Sequence, residues 1–257
     1  MNKPAAESSL TLPLGRGVTV IARDAEGVIA FAKPAGLLSH PNTPNGDARA
    51  LLTCRYDADA ECFVWQEPDG SSGRLWLLNR LDSATSGLIL AALHEPLARA
   101  IRGQFARRQV HKRYRALVFG VPRAPDEVWR DRLAIEKRGG AIRARVAGNL
   151  AAEARCVALA RRPALPDSRT PLALVQLEPR TGRSHQLRVQ CARHGLPIVG
   201  DQTYGDFRLN REFARFTGVK RLFLHSMETR FSYEIDGRAH AFAAVAPVPP
   251  EFDAAMG

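Results

Sequence analysis

Asp82 is the residue of this chain with the clearest setting for chemistry. It sits in Arg80-Leu81-Asp82-Ser83-Ala84-Thr85-Ser86-Gly87, between the apolar runs Leu75-Trp76-Leu77-Leu78 and Leu88-Ile89-Leu90. A single carboxylate on a loop between two buried strands can serve as a nucleophile or as a base. Arg80, two residues back, is near enough in sequence to keep Asp82 ionised. The small residues that follow leave room for a substrate, and Gly87 has access to backbone angles denied to other residues. An isolated Arg-x-Asp equally describes an aspartate that caps a turn, so the weight given to Asp82 depends on the rest of the chain.

Other kinds of chemistry find little support. The four cysteines, Cys54, Cys62, Cys156 and Cys191, form no CxxC unit, and His185 and His194 make no zinc spacing with them. No metal and no cofactor is expected, and reduced, mostly buried thiols in a cytoplasmic protein are. No apolar run near the N-terminus is long enough for a signal peptide or a membrane helix. The net charge of +11 and the pI near 10.2 point to a polyanionic partner, of which nucleic acid is the commonest. Apart from Lys3, Lys33, Lys112, Lys137 and Lys220, every cation is arginine, which forks onto phosphate and stacks on bases; a GC-rich genome would favour the same residue.

The elements that must hold Asp82 can be read from the apolar pattern. Residues 1–17 read as a loose leader. Val18–Ala22 and Val28–Ala32 read as a hairpin across Asp24-Ala25-Glu26-Gly27, stopped by Lys33-Pro34-Ala35-Gly36. Residues 42–73 read as a loop or short helix around one apolar island, Cys62–Trp65. Pro96 suits the first turn of a helix on which Leu97, Ile101 and Phe105 recur, with Arg99, Arg102, Arg107 and Arg108 on its other face. Strand character follows at His111–Phe119, Leu133–Glu136, Ile142–Val146, Ala154–Leu159 and Leu172–Leu177. Ser184 is placed to cap a helix from His185 to His194, closed by Gly195. Leu222–His225, Glu228–Tyr233 and Ala241–Val245 complete the strands. Many strands and few, separated helices predict an α+β fold with a mixed, mainly antiparallel sheet and flanking helices.

Several of these segments together resemble the pseudouridine synthase family of the RluA type. Phe31-Ala32-Lys33-Pro34-Ala35-Gly36-Leu37-Leu38 is similar to its opening segment, and Asn79 through Leu88 match its "HRLDxxTSGLL" signature. Lys112-Arg113-Tyr114-Arg115-Ala116-Leu117-Val118 matches "KxYxALV". Thr181 through Val189 match "TGRTHQIRV", and Gly195 through Asp201, with Tyr204-Gly205, match its continuation. Four separated motifs in the right order make a specific signal that covers the chain from about Val18 to Pro250. One departure is Asn79, where the family usually has histidine; altered hydrogen bonding beside the loop is expected.

The resemblance implies isomerisation of uridine in ribosomal or transfer RNA to pseudouridine, without metal or cosubstrate, with ribosomal RNA slightly favoured by its frequency in the family. It implies Asp82 as the reacting carboxylate, by attack on the anomeric carbon or by removal of a ribose proton. Arg188 is implied as its salt-bridge partner and Tyr114 as the residue against the target base. Leu224 is the expected apolar floor. Arg80, Thr85, Arg107, Arg108, Lys112, Arg113, Arg183 and His185 are the expected contacts to RNA, with Arg99, Arg102 and Arg115 adding to a basic surface. The alternative from another class is an RNA-binding or RNA-folding scaffold without turnover. One catalytic domain over residues 18–250 is expected, with a tail at 251–257, no separate N-terminal RNA-binding domain, and a monomer that binds no membrane.

Overall fold

A computed structural model describes residues 11–43, 47–67, 69–138, 141–146, 148–165 and 169–257. Among these residues thirteen strands form one sheet: β1 (Thr19–Arg23), β2 (Val28–Lys33), β3 (Arg55–Asp57), β4 (Cys62–Gln66), β5 (Ser72–Leu77), β6 (Ser86–Ala92), β7 (His111–Phe119), β8 (Asp126–Arg138), β9 (Ala141–Val146), β10 (Leu150–Arg162), β11 (Leu172–Pro179), β12 (Leu224–Ile235) and β13 (Arg238–Val245). Among the described residues four helices accompany it: α1 (Glu95–Ala106), α2 (Gln186–Arg193), α3 (Phe207–Thr217) and α4 (Glu251–Met256). The main path runs β3-β4-β5-β6-β12-β7-β11-β10-β8-β9. The α+β reading therefore holds.

The pairing of β6 with β12 is parallel, while the other pairings of the named strands are antiparallel. This short parallel ladder, His225 opposite Ser86 and Ser226 opposite Gly87, joins the two halves of the sheet. Strand β6 is buried at every position, as a strand covered on both faces must be. Its alternate residues feed two apolar clusters, Leu88, Leu90 and Ala92 on one side and Ile89 and Ala91 on the other. A third cluster, built from β7, β11, α2, α3 and α4, fills the other half around Phe213, Phe223 and Phe252. The loop before β6 thus enters the sheet at the junction of two cores.

Several local expectations change. The island at Cys62–Trp65 is strand β4, paired with β3 and β5; its alternating contacts outweigh the polar, glycine-punctuated surroundings that suggested loop or helix. Ser184 makes no cap bond to α2: the N-cap is His185, in the left-handed conformation at φ 55°. The loose leader is docked where it is described, with Leu12 and Leu14 packed on the core and Gly15 N–H donating to Leu51 O. The tail is helix α4, whose Phe252 is fully buried. Helix α3, unmarked in the sequence reading, is capped by Asp206, which accepts from Arg208 and Leu209 N–H.

Candidate active site

The Asp82 loop is fastened at its base from several directions. Lys33, at the end of β2 and fully buried, donates to the carbonyls of Pro34, Leu37 and Ser83 at 2.9, 2.8 and 3.1 Å. Burial pushes its ammonium down to about 7, with Asp82 pulling the other way. Gly36 N–H also donates to Ser83 O. Ser39 clasps Leu81, donating to its carbonyl at 2.7 Å and accepting from its N–H at 2.9 Å. Asn79 continues the pairing beyond β5: its Oδ1 accepts from Leu90 N–H at 2.7 Å. The residue that departs from the family pattern therefore pins the loop to β6. A turn from Asp82 O to Thr85 N–H closes the loop.

Arg188 reaches this loop from α2. Its Nη1 donates to Asp82 Oδ2 at 3.0 Å, while Nε and Nη2 fork onto Asp201, each at 2.8 Å. Asp201 is 1 % exposed and also accepts from Thr203 and Tyr204 N–H. Burial opposes its charge, but these bonds prevail and hold its carboxyl below the usual carboxylate range. The fork fixes the plane of the guanidinium, which also lies 5.1 Å from the centre of the Tyr204 ring. Nη1 is left to face Asp82, so the buried cation that the carboxylate needs comes with its own counter-charge. Arg80, expected as a partner of Asp82 from its position in sequence, instead lies 3.7 Å from Glu61 with its side chain 60 % exposed.

Tyr114 stands on β7 opposite Ser226 of β12 and Leu177 of β11. Burial pushes its hydroxyl up, as does the charge of Asp82, so the phenol stays protonated. Asp82, Tyr114 and Arg188 line one cavity of about 720 Å³, together with Arg80, Thr85, Lys112, Arg183, His185 and Leu224. Leu224 is buried on β12 and forms part of the apolar wall. Burial lowers the Lys112 ammonium to about 8.

Three expected RNA contacts lie elsewhere. Arg113 neighbours Tyr114, so strand alternation turns it to the other face; there it pairs with Glu228 at 2.9 Å and Glu178 at 3.4 Å. Arg107 and Arg108 are exposed at the C-terminal end of α1, and Arg108 borders a separate open groove with His111 and Arg230. Arg102 is structural: it donates to Leu77 O and pairs with Glu61. The sequence reading assigned no role to Asp201, Tyr204, Lys33 or Ser39. A helical arginine facing a buried site needs a carboxylate partner, and Gly200-Asp201 followed by Tyr204-Gly205 was the signal available for it.

Among the described residues no group of three His, Cys, Asp or Glu side chains is spaced to hold a metal ion, and no helix is long and apolar enough to cross a membrane. What the cavity offers is a carboxylate held by one hydrogen bond to a cation, a protonated phenol, an apolar wall and cations at the rim. That set suits work on a neutral planar base attached to a sugar and phosphate.

Comparison with known proteins agrees. A family model described as RNA pseudouridylate synthase matches residues 27–193. The chain is 32% identical over 232 residues to tRNA pseudouridine synthase C of Yersinia pestis, covering 85% of this chain and 83% of that protein. It is 27% identical to ribosomal large subunit pseudouridine synthase D of Zymomonas mobilis, covering 95% and 73%. The fold is shared with the solved human RNA Pseudouridylate Synthase Domain Containing 1, with a TM-score of 0.66 at 23% identity over 93% of this chain and 87% of that one. The chain belongs to the RNA pseudouridylate synthase family, enzymes that isomerise uridine in RNA to pseudouridine.

Proposed function

We propose that this isomerisation takes place in the cavity at Asp82, on uridine in transfer RNA. The observation that carries the reading is the fork of Arg188 on Asp201, which leaves Nη1 to hold Asp82 Oδ2 at the cavity wall. Asp82 acts on the ribose of the target nucleotide, either by attack on the anomeric carbon or by removal of a ribose proton. The glycosidic bond breaks, the uracil turns while held against Tyr114 and Leu224, and its carbon 5 bonds the anomeric carbon in place of nitrogen 1. The carbon 5 proton is lost and nitrogen 1 gains one, so no redox partner is needed. Extruding the base costs on the order of a few kcal/mol, least in loops. Arg80, Lys112 and Arg183 grip the flanking phosphates.

Transfer RNA is favoured over ribosomal RNA by the higher identity to the relatives named for it. The working unit is a single catalytic domain acting as a monomer, from the docked segment near Leu12 to α4.

Asp82→Asn tests the chemistry, because it keeps shape and removes charge. Release of tritium from uracil carbon 5 in labelled RNA is expected to vanish, with RNA binding and melting close to the wild type. Turnover by a folded, RNA-binding variant would move the chemistry to another residue. Pseudouridine mapping of transfer and ribosomal RNA with and without the gene decides the substrate class.

A further inference from the structure

Arg188 engages one oxygen of Asp82; the other faces His185. The Nε2 of His185 lies 3.7 Å from Asp82 Oδ1, and its Nδ1 lies 2.8 Å from the Tyr204 hydroxyl. That hydroxyl also accepts from the backbone N–H of Ala144 on β9, at 2.8 Å. A phenol has one proton to give. Ala144 occupies one acceptor site of that oxygen, and the acceptor within reach of the phenol proton is His185 Nδ1. A hydroxyl that donates there leaves the imidazole proton on Nε2, the atom directed at Asp82.

We propose that Ala144, Tyr204 and His185 form a proton-ordered chain that holds His185 as a neutral Nε2–H donor directed at Asp82 Oδ1, which makes Tyr204 and His185 positioning residues for that carboxylate. The inference rests on the reading of Asp82 as the reacting group. The backbone supports it: His185 is held in the left-handed conformation at the N-cap of α2, where Gln186 accepts from Arg183 N–H and Thr181 to fix the turn. The ring is therefore aimed from both ends.

Neutrality matters to the chemistry. Asp82 and Asp201 favour a proton on both nitrogens, whereas burial and Arg188 oppose it, and burial is the largest influence. Arg183 in the same loop and Lys112 across the cavity add positive charge. A carboxylate squeezed between two full cations is a weaker nucleophile and base. A neutral N–H dipole pointed at Oδ1 from 3.7 Å biases its orientation while leaving that reactivity in place.

The direct test is nitrogen-15 NMR of histidine-labelled wild-type enzyme at pH 7, which reads the tautomer of each imidazole. The expected signature for His185 is bare Nδ1 and protonated Nε2; a proton on Nδ1, or on both nitrogens, would overturn the proposal. Tyr204→Phe is expected to mix the tautomers and lower kcat about tenfold with KM unchanged, the loss of one hydrogen bond's worth of orientation. His185→Leu should match it, and His185→Gln, which restores a neutral donor of similar reach, should recover kcat relative to Leu. If Tyr204→Phe fails to fold, the wild-type tautomer and the Gln-against-Leu comparison still decide. Unchanged kcat in Tyr204→Phe and His185→Leu would refute the positioning role. Turnover by Asp82→Asn would instead refute the Asp82 reading and leave the tautomer result standing.

Discussion

Lys112 illustrates how one residue's surroundings set its use. Burial lowers its ammonium to about 8, with no neighbouring charge opposing the shift, and a Cβ added at Gly182 on the cavity wall would meet its Nζ at 3.7 Å. Below that pH it is protonated and free to meet a phosphate. A bound phosphate favours the charged form, so the complex keeps the proton to higher pH than the free enzyme does. By linkage, RNA affinity is highest below about 8 and falls as pH rises past it, by at most about tenfold per pH unit for one proton. Fluorescence anisotropy between pH 7 and 9 measures this. Lys112→Arg, whose guanidinium stays charged, is expected to flatten the profile; a wild-type affinity indifferent to pH would remove Lys112 as a phosphate contact.

Elements explain why neighbours in sequence part company in function. Lys112 and Tyr114 line the cavity while Arg113 pairs with carboxylates on the other face of β7, because successive strand residues point oppositely. The junction of β6 and β12 sets a harder constraint at Gly87, with φ +112°. A Cβ there would lie 2.1 Å from Ser226 O, within the parallel ladder that brings the Asp82 loop to Tyr114. Gly87→Ala is expected to destabilise by about 3 kcal/mol or more, by forcing the strands apart and straining the backbone. Gly36 shares the positive φ, but a Cβ there meets nothing within 4 Å. Gly36→Ala should cost only about 1 kcal/mol of left-handed strain. Denaturant midpoints of the two variants separate crowding from strain, and equal losses would show that the β6–β12 approach is not what Gly87 protects.

At the scale of the molecule, the excess of +11 remains after many arginines are paired with carboxylates across the sheet. RNA binding is therefore expected to weaken steeply with salt. If Arg80, Lys112 and Arg183 each meet a phosphate, neutralising any one of them should lower the slope of log K against log salt by about 0.7. Titrations of a uridine-containing stem-loop across salt concentrations check this, and an unchanged slope for all three would shift RNA contact to another face, such as the groove beside Arg108 and Arg230.

The α+β class, most strands and α1 were legible in the sequence because each rests on a local signal, an apolar period or a glycine or proline stop; Asp82, Tyr114 and Arg188, which line one cavity, were singled out on contiguous motifs that resemble a family. Helix α3 and strand β4 were less so, since short elements are decided by the partners they pack on. What only the tertiary structure decided is the rest of the charge pairing. Arg80 is two residues from Asp82 yet turns away to Glu61, while Arg188, the partner that the resemblance implied, is itself forked onto Asp201 as it reaches the carboxylate from 106 residues along the chain. Asp201, Tyr204 and Ala144 join the site in the same way. Sequence order fixes how far apart two residues are along the backbone, but ion pairs and hydrogen bonds act over a few ångströms of space, and that proximity exists only once the two halves of the sheet close at β6 and β12.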